Sequence, residues 1–304
     1  MIPCDIRGVM TREHIDKKKL ASFAASRRNS DGGYSFSYPL FGVEFPSSIS
    51  ETYYALAVLS MLKEEIPAKS QTIRYLQDAQ REDGCYDSPG VAFYAVKSLL
   101  LLGEKPRRME FVGQLRGILR EFRIFSEQIG DEFFSADYDT SESPFKLVYC
   151  ASKTLSLLDI GFVEDVSWLL QFKRDGGFGI KGPDVTATYH ALTTLRCGGH
   201  SMEKLGDTAI FITGCGTEEG GYSSVPGSVP AFIETTYFAI GALRLLNSKV
   251  AGKEKHRKYI VNLQNDDGGF RRSPYLGIST LCNSYYALKA LSLLGDHIEK
   301  EQGL

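Results

Sequence analysis

The hydrophobic positions of this chain fall into six copies of one helical pattern, aromatic-x-Ala-x-x-x-Leu. The copies begin at Tyr53, Phe93, Tyr149, Tyr189, Tyr237 and Tyr285. Their alanines are Ala55, Ala95, Ala151, Ala191, Ala239 and Ala287, and their leucines are Leu59, Leu99, Leu155, Leu195, Leu243 and Leu291. Three residues further on stand Leu62, Leu102, Leu158, Leu246 and Leu294, with Gly198 in the fourth copy. An Ala with leucines four and seven residues later lies on one helix face. The small Ala admits a neighbouring helix, and the leucines fill the layer between them. The aromatic stands about 200° round the helix from the Ala, so it faces another neighbour or the middle of the assembly.

Each apolar helix follows a more polar amphipathic stretch, as at 70–80, 164–172 and 253–264, and a glycine turn ending in an aromatic. The turns read Asp31-Gly32-Gly33-Tyr34, Asp83-Gly84-Cys85-Tyr86, Asp175-Gly176-Gly177-Phe178, Glu219-Gly220-Gly221-Tyr222 and Asp267-Gly268-Gly269-Phe270. Their spacings are 52, 92, 44 and 48 residues, and the double gap contains a degenerate copy near Asp131-Glu132-Phe133-Phe134. Glycine stops a helix readily because the left-handed conformation costs it little. Six units of outer helix, turn and inner helix predict an all-α, twelve-helix, single-domain α/α toroid with repeats over about 16–297. An open stack would need polar capping repeats. Here the first inner helix (51–62) and the last (283–294) are as apolar as the rest, which favours a closed ring.

Composition changes little in this picture. With 43% hydrophobic and 24% charged residues the chain can bury a sizeable core. A net charge of −2 gives no reason to expect a nucleic-acid or anionic-membrane partner. The apolar runs are far shorter than a membrane span, and the N-terminal stretch lacks the apolar core of a signal peptide, so a cytoplasmic protein is expected. Cys4, Cys85, Cys150, Cys197, Cys215 and Cys282 are scattered without a CxxC pair and read as reduced thiols.

Helix, Gly-Gly-aromatic turn and inner helix, six times over nearly the whole chain, resembles the α/α toroid of protein prenyltransferase β-subunits and of squalene and class II terpene cyclases. The resemblance implies a central cavity for an isoprenoid. In the transferases it also implies a zinc ion held by Asp-x-Cys at the fifth inner helix and a His at the sixth. Those places hold Phe232-Ile233-Glu234 and Asn283. Phenylalanine cannot ligate, and Glu with Asn would suit only a hard metal, so no zinc of that type is expected. The family's basic diphosphate loop is replaced by Tyr222-Ser223-Ser224-Val225-Pro226-Gly227-Ser228, and its His by Asp184. Arg271, Arg272 and Lys181 could supply positive charge at a comparable rim, although surface ion pairing is the more ordinary role for them. The cyclases' Asp-x-Asp-Asp acid is also missing: Pro183 precedes Asp184, and Asp137-Tyr138-Asp139-Thr140 is only a partial look-alike. Gly214-Cys215-Gly216-Thr217-Glu218 departs from the complement thioester motif at Glu218, which stands where a Gln is required.

Glu51, Asp184 and Glu234 sit at inner-helix starts, where carboxylates cap helices and complement the dipole. Gathered at one mouth of a toroid, they could instead raise one another's pKa and yield a proton donor. His190, beside Tyr189, is the fourth candidate for catalysis. The six aromatics Tyr53, Phe93, Tyr149, Tyr189, Tyr237 and Tyr285, with Asn283, Arg271 and Arg272, are candidates for ligand contact. Two functions follow: an isoprenoid binder or enzyme of transferase or cyclase type, whose aromatic faces would stabilise a carbocation, or a non-catalytic scaffold that pairs with a helical protein partner.

Overall fold

The computed structural model describes residues 13–37, 43–129, 143–161, 164–275, 277–296 and 298, with side chains described except at 125–129. The degenerate third turn at 131–134 and the acidic look-alike at 137–140 lie outside the described residues. The inner helices are α2 (Ile49–Met61), α4 (Pro89–Leu101), α6 (Pro144–Leu157), α7 (Val185–Cys197), α9 (Ile233–Leu245) and α11 (Leu281–Leu294). The outer layer is α1 (Lys17–Ala25), α3 (Lys69–Asp78), α5 (Phe111–Ile129), α8 (Gly206–Gly214) and α10 (Lys253–Val261). The fourth outer position, expected as an α-helix over 164–172, is instead a 3-10 segment, Ser167–Phe172.

Closure is explicit. Each inner helix packs on the next, and α11 packs back on α2. Outer helices lie against their own inner partners, α1 on α2 through α10 on α11. The outer layer also joins end to start: the Gln264 amide accepts from the Asp16 backbone N–H at 2.7 Å and donates to the Asp16 carbonyl at 3.0 Å. The register alanines and their first leucines are all buried. Where the fourth copy lacks its second leucine, a side chain on Gly198 would run into Val166, which is buried and already occupies that space.

The glycine turns have a tertiary role as well as a local one. The first glycine of each described turn has positive φ, from 80° to 97°. A Cβ there would strike the next outer helix: the Gln71 backbone for Gly32, the Asp207 carbonyl for Gly176 and the Lys255 carbonyl for Gly220. The second glycine makes room for an aromatic one turn along that helix: Tyr75 for Gly33, Phe211 for Gly177, Tyr259 for Gly221 and Phe23 for Gly269. Each unit thus plugs into its successor, and Gly268 plugs into α1.

The turn aromatic is held from both sides. Tyr34, Phe178, Tyr222 and Phe270 each donate a backbone N–H to a hydroxyl of the following inner helix, on Thr52, Thr188, Thr236 and Ser284, at 2.9–3.1 Å. Extended bridges such as Gly216 with Tyr222 and Tyr222 with Phe232 tie the same residue to the outer-helix end and the inner-helix start. At the fourth turn the bridge grows into a two-stranded hairpin, β1 (Lys173–Arg174) with β2 (Gly177–Phe178). Asp175 and Gly176 both have positive φ there, as a type I′ hairpin requires. The hydrophobic pattern carries no sign of this hairpin.

Candidate functional site in the middle of the ring

Six parallel helices in a ring turn a wedge of each surface toward the centre. With about 100° per residue, the residue three before the pattern aromatic and the residue four after it point almost straight in. The aromatic and the residue after it flank that direction and meet the neighbouring helices. The structure follows this geometry. Ring centroids link Tyr53 to Tyr94 at 5.5 Å, Phe93 to Tyr149 at 5.4 Å and Tyr149 to Tyr189 at 6.0 Å. The belt continues from Tyr189 to Tyr237 at 5.7 Å and from Tyr237 to Tyr285 at 6.2 Å, and closes from Tyr285 to Tyr53 at 5.3 Å.

The belt surrounds a cavity of about 300 Å³, the lower end of the size range of ligand pockets. Of the six predicted aromatics, Tyr53, Phe93, Tyr149, Tyr237 and Tyr285 line it. Tyr189 stands in the belt beside it, its hydroxyl 3.2 Å from that of Tyr237. A second aromatic row, which the sequence pattern did not single out, contributes Tyr54, Tyr94, Phe238 and Tyr286. Lys97, Lys146, Thr186 and Cys282 occupy further inward-facing positions and line the cavity, whereas Glu234, three before Tyr237 and so at the same offset, turns to Arg272. Their signal in the sequence was the offset of four after, or three before, the pattern aromatic.

The centre is therefore aromatic but not greasy. Tyr53 donates to the Tyr285 hydroxyl at 2.9 Å, and the Tyr54 and Tyr94 hydroxyls lie 2.7 Å apart. Burial, reinforced by neighbouring groups, holds the Tyr54 and Tyr149 phenols well above their usual range, so both remain protonated. Burial also pushes the Cys282 thiol up to about 12, far from the thiolate that a nucleophile needs.

His190 reaches the cavity, stacked on Tyr149 at 4.6 Å. Burial, and then the charge of Lys146, lower its pKa to about 3, so the ring is neutral. Its Nδ1 is buried without a hydrogen-bond partner.

The other predicted residues stand apart from the cavity lining. Asp184 is the N-cap of α7, accepting from the Ala187 N–H at 2.9 Å, and burial raises its carboxyl above the usual range. Glu234, in the first turn of α9, is paired with Arg272, whose Nε lies 2.6 Å from Oε1. Arg272 also covers the Phe232 ring at 4.2 Å. Arg271 turns to the Asn262 carbonyl at 3.2 Å. Asn283 is buried in the first turn of α11. Glu51 and Asn283 lie two residues before their aromatics, roughly 110° off the central direction, and so miss the cavity.

At the places where the transferases hold zinc, the donors are a phenyl ring under a guanidinium, a carboxylate already neutralised by that guanidinium, and an amide. This set does not fit a zinc ion. Among the described residues no three His, Cys, Asp or Glu side chains are grouped to hold a metal, and no helix is long and apolar enough to cross a membrane. Cys215, in the thioester look-alike, is buried, and its Sγ donates to the Phe211 carbonyl.

Glu51 carries a measurable consequence. Burial raises its carboxyl from 4.5 to about 7, against a smaller lowering by Arg27, and its Oε2 is buried without a hydrogen-bond partner. The folded chain then holds this proton more tightly than the unfolded chain. The two states differ progressively as pH rises from 4.5 to about 7, and stability falls across that window. Glu51→Gln is expected to stabilise the protein by about 1–2 kcal/mol near pH 8 and to change nothing near pH 4, read from urea midpoints. Equal effects at both pH values would show that the carboxyl is not held protonated.

Comparison with known proteins agrees with this architecture. The family profile of the prenyltransferase alpha-alpha toroid domain matches residues 4–91, 89–182 and 231–303. The β-subunit of geranylgeranyl transferase type-1 from Arabidopsis thaliana is 29% identical over 197 residues, 58% of this chain. The chain covers 51% of that relative's length. Among solved structures, the type II terpene cyclase MstE from Scytonema, without ligand, superposes with a TM-score of 0.59 at 13% identity, covering 92% of this chain and 96% of the cyclase. A variant of that cyclase in complex with its substrate, geranylgeranyl dihydroxybenzoate, gives 0.56 at 14% identity, covering 91% and 95%. With the profile matching most of the chain and the closed ring of helix pairs behind it, this protein belongs to the prenyltransferase alpha-alpha toroid domain family.

Proposed function

We propose that this protein binds an isoprenoid, or an apolar chain of similar shape, in the central cavity, without zinc of the transferase type. The observation that carries this reading is the closed aromatic belt around about 300 Å³ of space reached by all six inner helices. The volume suits a short prenyl chain or one end of a longer one. The ligands named for the relatives belong to the same chemical class: a geranylgeranyl transferase by name and a cyclase with a geranylgeranyl substrate.

Native mass spectrometry of the full chain with geranyl, farnesyl or geranylgeranyl diphosphate is expected to show a one-to-one adduct with at least one of them, and no bound zinc. No adduct with any of the three would overturn the binding reading, and one zinc per chain would overturn the metal reading. Asp184→Ala and Glu234→Ala are expected to leave binding intact, because neither side chain lines the cavity. Release of diphosphate on incubation would mark the protein as an enzyme, and its absence as a binder.

A second reading, a toroid that pairs with a protein partner, is supported by the rim. Val229 and Tyr275 are largely exposed on the wall of a groove of about 620 Å³ between the fifth glycine turn and the loop after the sixth. The double variant Val229→Asp, Tyr275→Asp would abolish capture of such a partner while leaving ligand binding unchanged. Capture that survives it would place the contact elsewhere.

A further inference from the structure

His190 stands four residues after Thr186 on α7, and both side chains line the cavity. It is 5% exposed, stacked on Tyr149 at 4.6 Å and edge-on to Phe238 at 5.3 Å. The same place in four other inner helices, one residue after the pattern aromatic, holds Tyr54, Tyr94, Phe238 and Tyr286. An imidazole packs there as those rings do, being flat and aromatic. It differs in carrying two ring nitrogens that call for hydrogen-bond partners.

Other polar groups around the ring pair within the protein. Tyr53 donates to Tyr285 at 2.9 Å and receives from Lys97 Nζ, the Tyr54 and Tyr94 hydroxyls lie 2.7 Å apart, and those of Tyr189 and Tyr237 lie 3.2 Å apart. His190 breaks this rule, because its Nδ1 is buried and has no partner. Burial, and then the charge of Lys146, keep the ring neutral, so it holds one proton shared between two nitrogens. A proton on Nδ1 would be a buried donor without an acceptor, which folded proteins rarely tolerate. The proton is better placed on Nε2, the nitrogen farther from the backbone, on a ring that reaches the cavity.

We infer that His190 is the polar anchor of the cavity: its Nε2–H donates to an oxygen at the end of the ligand's chain, as an alcohol, ether or ester carries, and holds that oxygen against α7. This inference rests on the proposed binding function and adds to it the ligand's oxygen and its orientation. A neutral donor in a dry aromatic setting recognises such an oxygen without needing charge on the ligand. The assignment makes His190 a specificity-determining residue.

The test is titration calorimetry of the full chain with three ligands sharing one chain: geraniol, geranyl methyl ether, which can only accept, and the dimethyloctadiene left when the hydroxyl is replaced by hydrogen. Each is compared between the unaltered protein and His190→Phe, a ring the fold already carries at the same place on α9 as Phe238. The variant is expected to bind the alcohol and the ether about tenfold more weakly, the scale of leaving a buried oxygen without its partner. Binding of the hydrocarbon is expected to stay as it was. If the alcohol and ether lose no more than the hydrocarbon, the anchor is overturned and the cavity reading stands. Loss of the alcohol alone would overturn the donor role of Nε2. Failure of all three ligands to bind the unaltered protein would remove both readings. If His190→Phe does not fold, nitrogen NMR of the unaltered chain serves: geraniol should shift the Nε2 signal of one imidazole much further than the hydrocarbon does, and equal shifts would overturn the anchor.

Discussion

Replacing Gly268 with alanine is expected to destabilise the protein by about 3–5 kcal/mol, among the larger effects a single substitution can have. Two costs combine at this position. Gly268 has φ of +92°, a conformation that strains any residue with a Cβ, by about 1–3 kcal/mol. The added methyl would also fall on the backbone and Cβ of Lys19, in the first turn of α1. Backbone in a packed helix cannot step aside as a flexible side chain can, so overpacking adds a further 1–3 kcal/mol or so. The contact is where the sixth unit meets the first, so the substitution loads the closure of the outer layer. Gly103→Ala is the control: φ there is +75°, but nothing lies within 4 Å of the new methyl. It is expected to cost about 1 kcal/mol, from strain alone. Urea midpoints of the two variants check the difference, and equal losses would refute the plugging of the last turn into α1.

Leu243→Ala should cost about 3–4 kcal/mol and Leu246→Ala only about 1. The repeat pattern gives these two leucines equal standing, at six and nine residues after Tyr237 on one helix face. Their surroundings differ. Leu243 is 0% exposed in the layer between α9 and its neighbours, where truncation leaves a cavity that rigid helices cannot fill. Leu246 is the C-cap residue of α9, at the rim of the ring and half-buried, so water and a fraying helix end take up much of the loss. The same ranking should hold for Leu155 over Leu158, the first buried completely and the second only packed against the smaller core cluster. Denaturation midpoints of the paired variants read it directly, and equal losses would mean that the two leucines are not in separate environments.

The candidate site was half legible before the fold was known. Tyr53, Phe93, Tyr149, Tyr237 and Tyr285 were found because a repeated aromatic opposite the recurring alanine of the pattern has few places to go. Their partners Tyr54, Tyr94, Phe238 and Tyr286 were missed because they follow no single residue type around the ring, the third and fourth copies having Cys150 and His190. Lys97 was missed for a stronger reason. A lysine in an apolar helix ordinarily marks a solvated face, and only convergence of six helices converts that position into an interior one. The acids Glu51, Asp184 and Glu234 share the inner-helix starts, as their spacing implied, but sequence proximity to a helix start does not fix direction. Asp184 caps, Glu234 is paired with Arg272, and Glu51 does not line the cavity.

What the sequence by itself determined is everything carried by short-range repetition: the six helix pairs, the stop at each Gly-Gly, and the face each inner helix buries. Those features follow from the period of the helix and the backbone freedom of glycine, which act over a few residues. Closure was favoured by the apolar end helices and is made explicit by the packing of α11 on α2. Only the tertiary structure decided that a 3-10 segment suffices for the fourth outer position and that Lys97 lies among tyrosines. These depend on which surfaces face one another across the ring, between residues far apart in the chain.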